Sequence, residues 1–178
     1  VNKFFRSSVA LVAGVSLLGL SGCALGGSTG DSESAPPSAS RGAALEGFDP
    51  CTFFKPEELT SYGVSTQAED FTLVSFQPGC AWNGEKMDIA LQKNADETVE
   101  SLEKGGSYDK YTRIKIAGRD AARMIAPGFT DQGGCVTVVS AGDGIVLYQL
   151  TAAMRDSVAD PCGEMEKIAN QTASRLPE

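Results

Sequence analysis

Apolar and polar residues alternate along much of this chain, and the alternation predicts strands. Cys135 to Ser140 and Ile145 to Ala152 are dense in β-branched and aliphatic residues, with Asp143-Gly144 between them suited to a tight hairpin turn. Met87, Ile89 and Leu91 alternate with Asp88, Ala90 and Gln92, which is the period of a half-buried strand. Tyr111 to Ile116 reads as another strand, turned by Gly118-Arg119-Asp120 into Ala121 to Ile125. Phe71 to Phe76 is aromatic and β-branched enough to be a strand. Gln77-Pro78-Gly79 then turns into one that carries Cys80 and Trp82 on the same face, with Trp82 packed over a cystine at Cys80.

Helical spacing takes over at a few places. Asp49-Pro50 and Asp160-Pro161 each combine an N-cap carboxylate with proline at the first helical position, where its missing N–H costs nothing. Pro56-Glu57-Glu58-Leu59 starts a further helix that Gly63 ends. Asn94 with Glu97 resembles a capping box for a short exposed helix bearing Val99 and Leu102 and closed by Gly105. Met165, Ile168, Ala169 and Thr172 keep the spacing of a closing helix. The expected fold class is α+β, a mainly antiparallel sheet packed with helices that include a C-terminal one.

The first twenty residues follow a different pattern. Lys3 and Arg6 precede an apolar run from Val9 to Leu20, too short for a stable membrane-spanning helix, and Leu20-Ser21-Gly22-Cys23 ends it. This junction looks like a bacterial lipobox. It predicts a signal peptide over 1–22, cleavage before Cys23, and diacylglyceryl and palmitate chains that hold Cys23 on the outer face of the cytoplasmic membrane. From Cys23 to Glu46 the chain is rich in Gly, Ser, Ala and Pro and reads as a disordered tether with a root-mean-square reach of roughly 25 to 30 Å. Residues 47–178 then read as a single extracytoplasmic globular domain.

Composition narrows the functions. The formal net charge is −8, and loss of Lys3 and Arg6 with the leader takes it to −10, so a nucleic-acid partner has no support. The chain contains no histidine, which removes the usual general base and the commonest neutral metal ligand. With Cys23 lipidated, Cys51, Cys80, Cys135 and Cys162 are left in an exported chain with no Cys-x-x-Cys pair, and disulfides are the natural reading. The expected pairing is Cys51 with Cys80 and Cys135 with Cys162, which closes two local loops without crossing the chain; the competing arrangement, Cys51 with Cys162 and Cys80 with Cys135, would tie the chain ends together instead.

The lipobox, Phe48-Asp49-Pro50-Cys51, Pro56-Glu57-Glu58-Leu59, Cys80-Ala81-Trp82, Cys135 and Asp160-Pro161-Cys162 together resemble a family of actinobacterial lipoproteins whose domain has no known function. Lys55 departs from the Ser or Thr expected before the Pro-Glu-Glu-Leu turn. The resemblance implies location and framework and supplies no activity.

No catalytic residue, metal ligand or cofactor is assigned. Glu57, Glu58, Glu164 and Glu166 fit the solvated first turns of helices, and neither a Gly-x-Ser-x-Gly elbow nor a Ser-x-x-Lys motif occurs. Tyr108, Tyr111 and Phe129 fall in or beside loops and are the candidate ligand contacts, against the plainer reading that they cover the edge of the core. Two functions fit. One is a tethered module that binds an envelope ligand or protein partner; the other is a cell-envelope hydrolase that works with carboxylates.

Overall fold

The computed structural model describes residues 43–178, so the leader, Cys23 and most of the tether lie outside the described residues. In chain order the elements are α1 (Ala43–Glu46), a 3-10 turn (Pro50–Thr52), α2 (Pro56–Tyr62), β1 (Glu69–Asp70), β2 (Gly79–Trp82), β3 (Met87–Asn94), α3 (Val99–Gly105), β4 (Lys110–Ile116), β5 (Arg119–Ile125), β6 (Gly134–Ala141), β7 (Gly144–Ala152), α4 (Pro161–Thr172) and a final 3-10 turn (Ala173–Arg175).

Seven strands form one antiparallel sheet in the order β1-β2-β3-β7-β6-β5-β4. Local turns make two meanders, β1 to β3 and β4 to β7. The meanders join where β3 pairs with β7 over eight residues, from Met87 opposite Ala152 to Asn94 opposite Ile145. This register gives the sheet two distinct ends. One carries Asn94, Ala141 and Gly144; the other carries Met87, Gly134 and Ala152.

Both disulfides are the local ones, Cys51 with Cys80 and Cys135 with Cys162. The main core lies on one face of the sheet, where Ile89, Leu91, Val146, Tyr148 and Leu150 meet the α2 and α4 side chains. α4 buries Met165, Ile168, Ala169 and Thr172, the four residues its spacing marked. Trp82 is 1% exposed and meets Phe54 edge-on at 5.1 Å between ring centroids, in the same cluster as the Cys51–Cys80 cystine. On the other face Val99 from α3 covers Ala122, Val138, Ile145 and Leu147. β3 is therefore buried on both sides, not half-buried as its alternation suggested, because Ala90, Gln92 and Asn94 are covered as well.

Several local expectations shift. The folded part begins before Gly47, since Leu45 in α1 is 1% exposed and the Lys93 ammonium donates to the carbonyls of Leu45 (2.7 Å), Glu46 (3.2 Å) and Phe48 (2.6 Å). The cap of α3 is Thr98, whose hydroxyl accepts from the Ser101 amide, while Asn94 stays in β3 and its side chain accepts from the Asp96 amide. The β4–β5 turn falls at Ala117-Gly118 and the β6–β7 turn at Gly142-Asp143, each one step earlier than read, with positive φ at Ala117, Gly118 and Gly142. Phe71 to Phe76 is a loop and not a strand. The Asp70 carboxylate accepts from the Thr72 amide and hydroxyl, both at 3.2 Å, and that turn ends β1 after two residues.

Polar links close the α2–α4 side. The Arg175 guanidinium reaches both Glu58 oxygens at 2.8 Å and lies 4.9 Å over the Phe53 ring. Burial pushes Glu58 up, but the Arg175 hydrogen bonds, the Lys55 amide and the positive charge outweigh it and hold the carboxyl below its usual value. In the core the Thr137 hydroxyl is buried without a partner.

Two outcomes follow from these contacts. Arg175→Ala costs roughly 1–2 kcal/mol at pH 7. A depressed carboxyl stabilises above its unfolded pKa, so the ion-pair share of that loss is complete above about pH 4.5 and fades as the pH falls through the folded value; urea titrations at pH 7 and pH 3 measure the difference. Thr137→Val keeps the shape and removes an unpaired hydroxyl, so it raises stability by up to about 1 kcal/mol, read as a higher denaturation midpoint with an unchanged slope.

Candidate functional site

The sheet end that carries Gly134 and Ala152 opens into a cleft of about 620 Å³. Three segments build it: the loop from Ala126 to Gly133 between β5 and β6, the loop from Ala153 to Asp160 after β7, and the first turn of α4. Its floor includes Ile125, Gly134, Val158 and Pro161, with the Cys135–Cys162 disulfide beside them.

Each wall is held at several points. Asp109, just before β4, accepts through Oδ2 from the Gly128 amide (2.9 Å), the Thr130 hydroxyl (2.9 Å) and the Thr130 amide (3.4 Å). The Thr130 hydroxyl above all, with these amides, holds the Asp109 carboxyl below the usual range against what desolvation there is. Gly128, Asp131 and Gly133 all have positive φ, which lets the loop double back within a few residues. At Gly133 a side chain would also fail for space, because an added Cβ lies 2.7 Å from the Ala152 Cβ. The second wall is tied to the first by the Ala152 amide on the Gly133 carbonyl (2.8 Å) and by Arg155 on the Gln132 side chain (2.9 Å). The third is fixed by the disulfide and by Asp160, whose Oδ1 accepts from the Gly163 amide at 2.9 Å.

Six charged side chains line the cleft. Lys110 and Arg155 are exposed, and Arg123 is half-buried in an ion pair with Glu166. Asp131, Asp156 and Asp160 are exposed. The arrangement offers both signs of charge to a solute across a rigid, partly apolar floor. A carboxyl acting as a general acid is normally raised by burial, and these three stand in solvent.

The aromatic candidates are only partly brought together. Asp109 ties the loop bearing Phe129 to the segment following Tyr108, so the two loops do meet. The rings go separate ways. Tyr108 and Tyr111 pack on each other at 5.4 Å and join the cluster under α3, where the Tyr111 hydroxyl donates to the Val99 carbonyl at 2.6 Å. Phe129 is 53% exposed and borders a neighbouring depression of about 120 Å³ with Gln149 and Thr151. Lys110, Asp131, Arg155 and Asp156 were not singled out from the sequence. Among the described residues, no group of three or more His, Cys, Asp or Glu is placed to hold a metal ion, and no helix is long and apolar enough to cross a membrane.

A family model described as "Protein of unknown function (DUF3558)" matches residues 18–175. The chain belongs to that family. No curated protein and no solved structure matches it. Within this DUF3558 chain the match spans Cys23, all four paired cysteines and the whole cleft, so the framework and the site fall inside one family unit.

If Asp109 organises the cleft, Asp109→Ala frees the Gly128 and Thr130 amides while leaving the sheet intact. Hydrogen exchange should quicken at residues 128–130 by about tenfold or more, as expected for loss of charge-assisted hydrogen bonds, with the β6 and β7 amides unchanged; unaltered loop protection refutes the role.

Proposed function

We propose that this protein is a lipid-anchored binding module, held through Cys23 on the outer face of the cytoplasmic membrane, whose cleft takes an envelope ligand. One observation carries the reading: the cleft's walls are fixed by a disulfide, a three-bond carboxylate and left-handed loop residues, yet five of its six charged side chains, all but Arg123, stay open to solvent. Rigid walls lower the entropy cost of capture, and exposed charges of both signs suit a polar ligand. Lys110 and Arg155 would meet its anionic groups, and Asp131 and Asp156 its cationic or hydroxyl groups. Phe129, exposed beside the neighbouring depression, would add an apolar contact; Tyr108 and Tyr111 pack under α3, outside the cleft lining. The carboxylate hydrolase is the weaker reading, because none of Asp131, Asp156 and Asp160 is enclosed.

Photo-crosslinking on intact cells, followed by identification of the captured molecules, tests the whole reading. The Lys110→Ala variant, which removes none of the ties that hold the walls, should melt as the wild type does and lose about tenfold or more in capture, the equivalent of one charged hydrogen bond. Cys23→Ser should leave the membrane fraction. Degradation of an envelope polymer by the purified protein, abolished by Asp156→Asn, overturns the binding-only assignment.

A further inference from the structure

The loop that leaves β1 and enters β2 is apolar at its tip and held rigidly at its base. Residues 71–78, Phe-Thr-Leu-Val-Ser-Phe-Gln-Pro, carry no charge. Leu73 is 71% exposed, Phe76 57% and Val74 41%. Such exposure is ordinary for a frayed segment; here the base is clamped. Gln92 of β3, fully buried, donates from Nε2 to the carbonyls of Phe71 (3.0 Å) and Gln77 (2.9 Å), one at each end of the loop. Its Oε1 accepts from the Gln77 side chain at 3.0 Å and from Gln149. The Phe71 amide bonds to the Gly79 carbonyl and the Lys93 amide to the Pro78 carbonyl. An added Cβ at Gly79 would lie 2.2 Å from the Leu91 carbonyl, so the loop's exit is pressed flat on β3. The fold fixes three large apolar side chains in water and buries none of them.

The next residue on β3 says where this loop stands. Lys93 holds the carbonyls of Leu45, Glu46 and Phe48, and a shallow hollow lined by Leu45, Glu46, Phe76, Pro78, Lys93 and Ala95 joins the two segments. The described chain therefore begins beside the apolar loop, at the sheet end that carries Asn94 and Gly144, opposite the cleft. Nineteen residues separate Ala43 from Cys23. Fully extended they reach no more than about 70 Å.

We infer that Leu73, Val74 and Phe76 form a foot that inserts into the interfacial region of the bilayer that holds Cys23. The inference rests on the lipid anchor proposed above. Three side chains at one loop tip are too few for a stable protein interface, which takes about 800 Å² from each partner. They suit a lipid surface, where a second weak apolar contact only adds to an existing anchor. An uncharged tip also suits an acidic protein, because it brings no carboxylate to the head groups; Asp70, at the base, spends its oxygens on Thr72.

The test uses the lipidated full chain reconstituted in phosphatidylcholine vesicles, part of whose lipid is brominated near the carbonyl end of the acyl chains. Wild-type protein supplies the baseline, because its one tryptophan, Trp82, is buried. The Phe76→Trp variant should show an added emission that is blue-shifted and quenched at least twofold by the brominated lipid, at low and at high salt. Co-sedimentation with vesicles without that quenching overturns the foot and leaves the anchor standing. Failure to co-sediment removes the anchor and the foot with it. A blue shift that grows with protein concentration but is not quenched means that a second copy covers the loop, and also overturns the proposal.

Discussion

Everything in this domain depends on the pairing of β3 with β7. The two meanders, β1 to β3 and β4 to β7, are each made by connections of at most eight residues and are local in sequence; the eight-residue ladder between β3 and β7 alone makes them one sheet. A long-range ladder of this kind must overcome the closure entropy of the chain between its partners, and it does so only if burial rewards it on both faces. Here it does. Ile89, Leu91, Val146, Tyr148 and Leu150 serve one face, and Ile145 and Leu147 with α3 serve the other. The same strand then positions what lies outside the sheet, since successive residues Gln92 and Lys93 point to opposite faces and tie down two separate segments.

What could be read from the sequence was what is decided locally. Asp49 and Asp160 cap their turns, Gly63 ends α2, and α4 buries the four residues its spacing marked, because each choice depends on neighbours within a few positions. The disulfide pairing belongs here too, each bridge closing a loop of fewer than thirty residues. Some misread parts are local, such as the α3 cap at Thr98 and the one-residue shift of two hairpin turns; the larger ones are settled at long range. Phe71 to Phe76 has the composition of a strand, but Asp70 turns the chain and Gln92, some twenty residues on, takes the carbonyl that a neighbouring strand would have used. A buried glutamine with every polar atom satisfied leaves no trace in a hydropathy pattern. Nor does a lysine that holds an entering chain.

The candidate site was the least legible. Lys110, Asp131, Arg155 and Asp156 are ordinary exposed charges, and only the fold makes them neighbours. The aromatic residues drew notice for their size, yet size mainly decides what packs, and Tyr108 and Tyr111 do pack. What joins the Phe129 loop to the segment after Tyr108 is the carboxylate of Asp109 and not a ring.

The order of the cysteines along the chain bears on how the protein is made. On the export route proposed above, with Cys23 capped by lipid, the remaining thiols emerge amino end first into an oxidising compartment in the order Cys51, Cys80, Cys135, Cys162. Each bridge of the native fold joins consecutive cysteines in that order. The first pair can therefore close before the third thiol has emerged, and the second has no free competitor left when its turn comes. On that proposed route the order of emergence itself favours the native bonds, and maturation then calls for an oxidant more than for an isomerase.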